Sequence, residues 1–245
     1  IGGSEVETIL AEVLATTGRG VEVAYLARVL EEISPSKHRA AAIAAAKELL
    51  LNPPPIDSPN RLDDNSRAYL YEVLKMYGDN TYLQEAQAKL IAPDGTVDRT
   101  TLGYLSMMLK EDALPVLYAA YNDPRLTNVF EKSAMLNQAL KYVGAKTQAN
   151  EMLASAVIND TMPSNLRSFI VMSLAGGHRA ETPKDTQVIQ GRIELLDYLR
   201  RNSKDEGIVR SIDETRENLQ NLLQKRIAQQ SEPPSDKGSD RTINK

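Results

Sequence analysis

The sequence predicts an all-α fold in which helix-turn-helix units stack on one another as an α-helical solenoid. Apolar residues recur at helical spacing, and no segment shows the sustained apolar-polar alternation of a β-strand. The stretch 113–177 also matches itself at an offset of about 37 residues, within the range typical of helical repeats. The matching positions are Ala119 with Ala156, Asn122-Asp123 with Asn159-Asp160, Asn128 with Asn165, and Met135 with Met172. About a dozen helices joined by short turns account for the whole chain.

Residues 1–52 are predicted to form an N-terminal unit of three helices. The second helix begins near Val21, after two glycines, and the third is rich in alanine. Ser34-Pro35 has the pattern of a cap followed by a first-turn proline, so we expect the third helix to start there. The first helix carries one apolar face at helical spacing, formed by Val6, Ile9, Leu10, Val13 and Leu14.

A proline-rich loop is predicted at 53–62, because its prolines lack amide donors and force the residues before them into extended conformations. A helical-repeat array follows over 63–229. Within it Asp98 is placed to cap one helix, and Thr182-Pro183 is expected to begin a longer one. Residues 230–245 lack apolar anchors and contain two adjacent prolines, so we expect a disordered polar tail.

Composition bounds the partners that this chain can bind. Its 29 lysines and arginines against 33 acidic residues give a formal net charge of -4, so we expect neither nucleic acid nor an anionic membrane as partner. No apolar run approaches the roughly 20 residues of a membrane span. The absence of cysteine excludes disulfides and thiolate metal sites. Because the chain begins at Ile1 and not at Met, we expect either that a preceding segment has been removed or that the chain is a piece of a longer one, and the sequence assigns no localisation.

Part of the repeated stretch resembles a known family of helical repeats. Leu114-Pro115-Val116-Leu117 followed by Asn122-Asp123-Pro124 resembles the first helix and turn of a HEAT or armadillo-type unit, and Leu166-Arg167 with Ser173-Leu174 resembles its second helix. The resemblance covers 113–177 and implies a right-handed α-α superhelix. Phe130 stands where the first copy would carry the counterpart of Arg167, so we do not expect the family's Arg-to-Asp pairing between units.

No catalytic, cofactor or metal motif is found. His38 and His178 are the only histidines and lack the pairing of a helical zinc site, so we expect structural or surface roles for both. Asp63-Asp64-Asn65 lacks the further ligands of a calcium loop and is interpreted as a helix cap. Arg192 belongs to a basic cluster interleaved with acids, which favours a solvated face of mixed charge. We expect no cofactor.

The tyrosines are the candidate binding residues. Eight of the 10 lie between residues 69 and 142, and a tyrosine can pack its ring while presenting a hydroxyl to a partner. We therefore expect some of Tyr71, Tyr104 and Tyr118 to line a groove that binds a protein or peptide. The alternative is that most tyrosines fill gaps between helices.

Three hypotheses of function follow. The first is a non-enzymatic interaction or scaffold module that holds a partner protein in the groove of a helical array. The second is an all-α ligand-binding protein or enzyme that uses carboxylates and tyrosines of a pocket as acid and base. A HEAT-like nucleic-acid binder is a third, and it would need a continuous positive face.

Overall fold

The computed structural model describes residues 3–159, 162–176 and 182–231, and the side chain of Ser231 is not described. The fold is all-α, as predicted. Within the described ranges the only β-pairing is one isolated antiparallel bridge between Ile91 and Val97. The chain divides into two compact units, residues 1–116 and 117–245.

The first unit is built from six helices and the start of a seventh. Short 3-10 turns at Asp63–Asn65 and Lys110–Asp112 lead into α4 and α7. The helices are α1 Gly3–Thr16, α2 Gly20–Ile33, α3 Arg39–Leu51, α4 Ser66–Met76, α5 Leu83–Ala88, α6 Arg99–Leu109 and α7 Ala113–Tyr121, the last of which crosses the division between the units.

Helices before and after the proline-rich loop pack into this same unit. Both α2 and α3 contact α4, so the compact units divide at 116/117 and not at the loop over 53–62. The loop itself is held by Arg19, which donates to the carbonyl oxygen of Ser58 at 3.0 Å and pairs with Asp63 at 3.1 Å. The loop is therefore a tethered connection within one core.

Helix starts confirm one sequence prediction and correct two. Asp98 caps α6, as predicted, by accepting from the amides of Thr100 and Thr101. The third helix does not start at Ser34-Pro35; it starts at Arg39, because Ser36 has a φ of 63° and its amide donates to the Glu31 carboxylate. The helix expected to begin at Thr182-Pro183 starts later, at Thr186, where Asp185 is the capping residue.

In the residues that the structure describes, the second unit contains the rest of α7 and five further helices. Two of these end in a 3-10 turn, at Leu140–Tyr142 and Ser173–Ala175. The helices are α8 Val129–Ala139, α9 Thr147–Ile158, α10 Ser164–Met172, α11 Thr186–Asn202 and α12 Glu206–Ser231.

Arg192 on α11 is the central polar contact of the second unit, and the expectation that it lies on a solvated face is wrong. It is buried, and its guanidinium donates to the carbonyl oxygens of Leu174 at 2.6 Å, Val143 at 2.9 Å and Leu140 at 3.3 Å. Those carbonyls lie in or just after the 3-10 turns that follow α8 and α10, and the Leu140 carbonyl also accepts from the Val143 amide at 3.2 Å. One side chain thus satisfies the ends of two helices and fixes both against α11.

A pair of glycines permits this arrangement. Gly144 has a φ of 91°, and α11 approaches it so closely that a Cβ on Gly191 would overlap the Gly144 carbonyl oxygen. Only a residue without a side chain fits at that crossing.

An Arg-to-Asp pair forms in the second unit. Arg167 on α10 is buried and contacts Asp205, the residue before α12, at 2.8 Å. The same Asp205 accepts from the amides of Gly207 and Ile208, so it also caps α12. The tail predicted as disordered at 230–245 lies, beyond Ser231, outside the described residues.

Candidate functional site

Helix α1 is the least buried helix of the first unit, and three of its exposed residues are large and apolar. Leu14 is its only fully buried residue. Val6, Ile9 and Val13, which we call the α1 stripe, are 41, 59 and 41 % exposed. Their spacing of three and four residues places them along one line on the helix surface. Neighbouring helices leave this line uncovered in the described part of the chain.

Acidic residues border the α1 stripe on one edge. Glu5 and Glu12 are exposed and lie one helical turn before and after Ile9. Their separation of seven residues corresponds to about 10 Å along the helix axis. Since α1 contains no lysine or arginine, its surface is an apolar line with negative charge beside it.

A cleft of ≈ 380 Å³ opens beside α1, towards the turn between α2 and α3. Glu7 lies in it and binds two neighbours from that turn: its Oε1 is 2.7 Å from Lys37 Nζ and 2.7 Å from His38 Nε2. Hydrogen bonds from Lys37 and His38 lower the pKa of Glu7 from 4.5 to about 2. The rest of the lining comes from Thr8, Ala11, Glu12 and Ala15 of α1.

Glu7 holds α1 against the α2–α3 turn. The carboxylate is engaged by two donors from the turn while ionised, so it serves as an anchor rather than as an acid or base towards a ligand. His38 therefore has the structural role expected from the sequence, although its partner, 31 residues earlier, was not predicted. His178, the other histidine, lies outside the described residues.

Two of the three candidate tyrosines are core residues. Tyr71 and Tyr104 are each 2 % exposed and their rings stack with centroids 4.2 Å apart. The Tyr71 hydroxyl hydrogen-bonds the Thr101 hydroxyl at 2.8 Å, and burial raises the pKa of Tyr71 to about 12. For these two residues a groove-facing position is corrected to a position in the interior, which matches the gap-filling alternative.

Tyr118 is the candidate tyrosine that remains partly accessible. It lies on α7 and donates its hydroxyl hydrogen to Glu151 of α9 at 2.7 Å. That hydrogen bond raises the pKa of Tyr118. A partner contact at Tyr118 stays a prediction.

Two kinds of site are absent from the described ranges. No cluster of three or more histidine, aspartate or glutamate side chains there is arranged to hold a metal ion. No helix in the same ranges has the length and apolar character needed to cross a membrane.

Comparison with known proteins finds no matching family model, no similar curated protein and no similar solved structure.

The α1 stripe was not recognised from the sequence as a candidate site. Its residues follow the same periodicity as buried ones, and the periodicity carries no signal of whether a neighbouring helix covers them.

Proposed function

We propose that this chain is a non-enzymatic protein-protein interaction or scaffold module of the HEAT-like superhelical type, and that a partner protein docks on α1. The observation that carries the proposal is the α1 stripe, three β-branched apolar side chains in line and about half exposed. Contiguous exposed apolar surface beside charged residues is typical of binding sites.

The pattern of helix contacts supports the superhelical part of the proposal. In the first unit α1 contacts α2 and α3, α2 contacts α3 and α4, and α4 contacts α6. In the second unit α9 contacts α10 and α11, and α12 contacts α10 and α11. Contacts with the next helix and the next but one are those expected when helix pairs stack in a row. The pairing of Arg167 with Asp205 is consistent with such stacking.

The alternative is a ligand-binding protein or enzyme with an acidic or tyrosine-lined pocket, and it has less support. Its tyrosines would have to be accessible, whereas Tyr71 and Tyr104 are buried. Its acid would have to be available, whereas Glu7 is engaged by Lys37 and His38.

The test compares two triple variants in a protein capture experiment with crosslinking. The stripe variant carries alanine at all three α1 stripe positions, and alanine preserves the helix. The matched variant removes equally exposed side chains from three other helices. Its changes are Leu51→Ala, Met76→Ala and Met107→Ala, at residues 43, 40 and 59 % exposed.

The proposal predicts at least one protein that the wild type and the matched variant capture equally and that the stripe variant loses. If all captured proteins are indifferent to the stripe variant, α1 is not a docking surface. If small molecules raise the melting temperature and Glu7→Gln abolishes that shift, the pocket alternative replaces the proposal.

A further inference from the structure

We infer that the partner of α1 is a basic amphipathic helix, whose apolar ridge packs on the α1 stripe while lysine or arginine side chains pair with Glu5 and Glu12. The inference rests on the proposed function and specifies the chemistry of the partner. It follows from the shape of the exposed surface and from the sign of the charge beside it.

The shape of the surface favours a helix as the occupant. The α1 stripe is a straight line of side chains on a helix of 14 residues, a length of about 21 Å. Two helices pack by placing the side chains of one between those of the other. A helix with apolar residues at i, i+3 and i+7 presents the complementary ridge.

The negative charge beside the α1 stripe specifies which residues border the apolar ridge of the partner helix. Glu5 and Glu12 are seven residues apart on one edge of the α1 stripe, so basic residues about seven apart on the partner helix would meet both. Burying either carboxylate against an apolar or acidic border would remove it from water without a counter-charge. An acidic helix is therefore rejected by the same surface.

The charge also decides against a second copy of this chain as the occupant. A second α1 supplies no lysine or arginine to meet Glu5 and Glu12, because it has none. An antiparallel pairing of two copies through the α1 stripe would also bring their acidic borders together.

Synthetic peptides of about 14 residues provide the probe. Each has leucine at the a and d positions of two heptads, and the remaining positions are all lysine, all glutamine or all glutamate. A fourth peptide contains the same leucines and lysines in scrambled order. Binding to the full chain is followed by NMR shift changes of the α1 amides, with the peptide in large excess.

The amphipathic lysine peptide is expected to bind and to shift α1 amides, the glutamate peptide is expected not to bind, and the scrambled peptide is expected to bind at least tenfold more weakly. The stripe variant is expected to bind the lysine peptide about tenfold more weakly than the wild type does. The double variant Glu5→Gln with Glu12→Gln is expected to bind it several-fold more weakly, and the matched variant with unchanged affinity. Sedimentation of the free chain is expected to give a monomer.

Three results would overturn the inference. Equal binding of the glutamine and lysine peptides would show that charge does not select the partner, while the α1 stripe would stand as a docking surface. Equal binding of the scrambled peptide would reduce the interaction to non-specific attraction. A dimer that the stripe variant dissociates would make a second copy the occupant. Failure of the proposed function is different: there, no peptide shifts α1 and no captured protein depends on the α1 stripe.

Discussion

Replacing Arg192 with methionine tests whether one buried guanidinium fixes the ends of two helices in the second unit. Two of its three hydrogen bonds, at 2.6 and 2.9 Å, have the lengths of strong bonds. Bonds from a charged donor contribute about 1.5–3 kcal/mol each, so their loss costs roughly 3–6 kcal/mol. Methionine keeps part of the apolar stem, and removing the buried charge returns roughly 1–2 kcal/mol of its desolvation cost. We therefore expect a net loss of about 2–4 kcal/mol.

The free energy of unfolding is measured by urea titration with circular dichroism at 222 nm. Hydrogen exchange with mass spectrometry then locates the effect, because the chain has two compact units. At about 1.4 kcal/mol per factor of ten, the expected loss corresponds to roughly 30- to 700-fold faster exchange in α11. Amides of α2 and α4 in the first unit should keep their rates.

Arg200→Met is the matched control, since Arg200 lies on the same helix and pairs with Asp213 at 2.6 Å while both side chains are about half exposed. An exposed ion pair contributes at most about 1 kcal/mol. A loss below about 1 kcal/mol for Arg192→Met, or one equal to that of Arg200→Met, would refute the role assigned to Arg192.

Three further predictions concern glycine, acid and tyrosine positions. Gly191→Ala should lower the free energy of unfolding by about 1–3 kcal/mol, because the added Cβ would overlap the Gly144 carbonyl oxygen. Gly103→Ala has nothing near its added Cβ and should raise the free energy of unfolding by about 0.5–1 kcal/mol. Urea titration measures both changes, and two changes of the same sign would contradict the prediction. Because the folded state lowers the pKa of Glu7 to about 2, the ionised carboxylate stabilises the fold fully above pH 4.5, and this stabilisation is lost as the pH falls towards 2. The difference in melting temperature between wild type and Glu7→Gln should therefore shrink from pH 6 to pH 3. A difference that stays constant would exclude the anchoring role of Glu7. Tyr71→Phe leaves the buried Thr101 hydroxyl without the Tyr71 hydroxyl, so urea titration should show a loss of about 1–2 kcal/mol in the free energy of unfolding. Tyr118→Phe, at a partly accessible position, should lose less than about 0.5 kcal/mol. Equal losses would argue against the core position of Tyr71.

Local chemistry made part of the fold predictable. The all-α class follows from apolar periodicity, and the cap at Asp98 follows from a carboxylate just before a helical segment. The predicted start of α3 was wrong, although Ser34-Pro35 has the local pattern of a helix start. The Glu31 carboxylate and the left-handed Ser36 hold a turn there, and the sequence does not show that competition.

Contacts between distant residues account for what could not be predicted. Glu7 and His38 are separated by 31 residues, and Arg192 reaches a carbonyl 52 residues away. Charged residues among other charged residues are usually solvated, so the pattern around Arg192 indicated a surface. The burial of Tyr71 and Tyr104 could not be predicted either, because a tyrosine at helical spacing fits a core or a groove equally well.

The energetics of the α1 stripe set the strength of any complex formed there. Full burial of an aliphatic side chain contributes about 1.5–3 kcal/mol, and 41–59 % of each stripe residue is still exposed. The three together therefore offer roughly 2–4 kcal/mol. Association itself costs about 4–15 kcal/mol in lost translational and rotational freedom. The α1 stripe alone cannot hold a partner tightly, and an exposed pair at Glu5 or Glu12 adds at most about 1 kcal/mol. A short helical peptide should accordingly bind at millimolar or weaker affinity, whereas a nanomolar complex would require a partner that also contacts surfaces beyond α1.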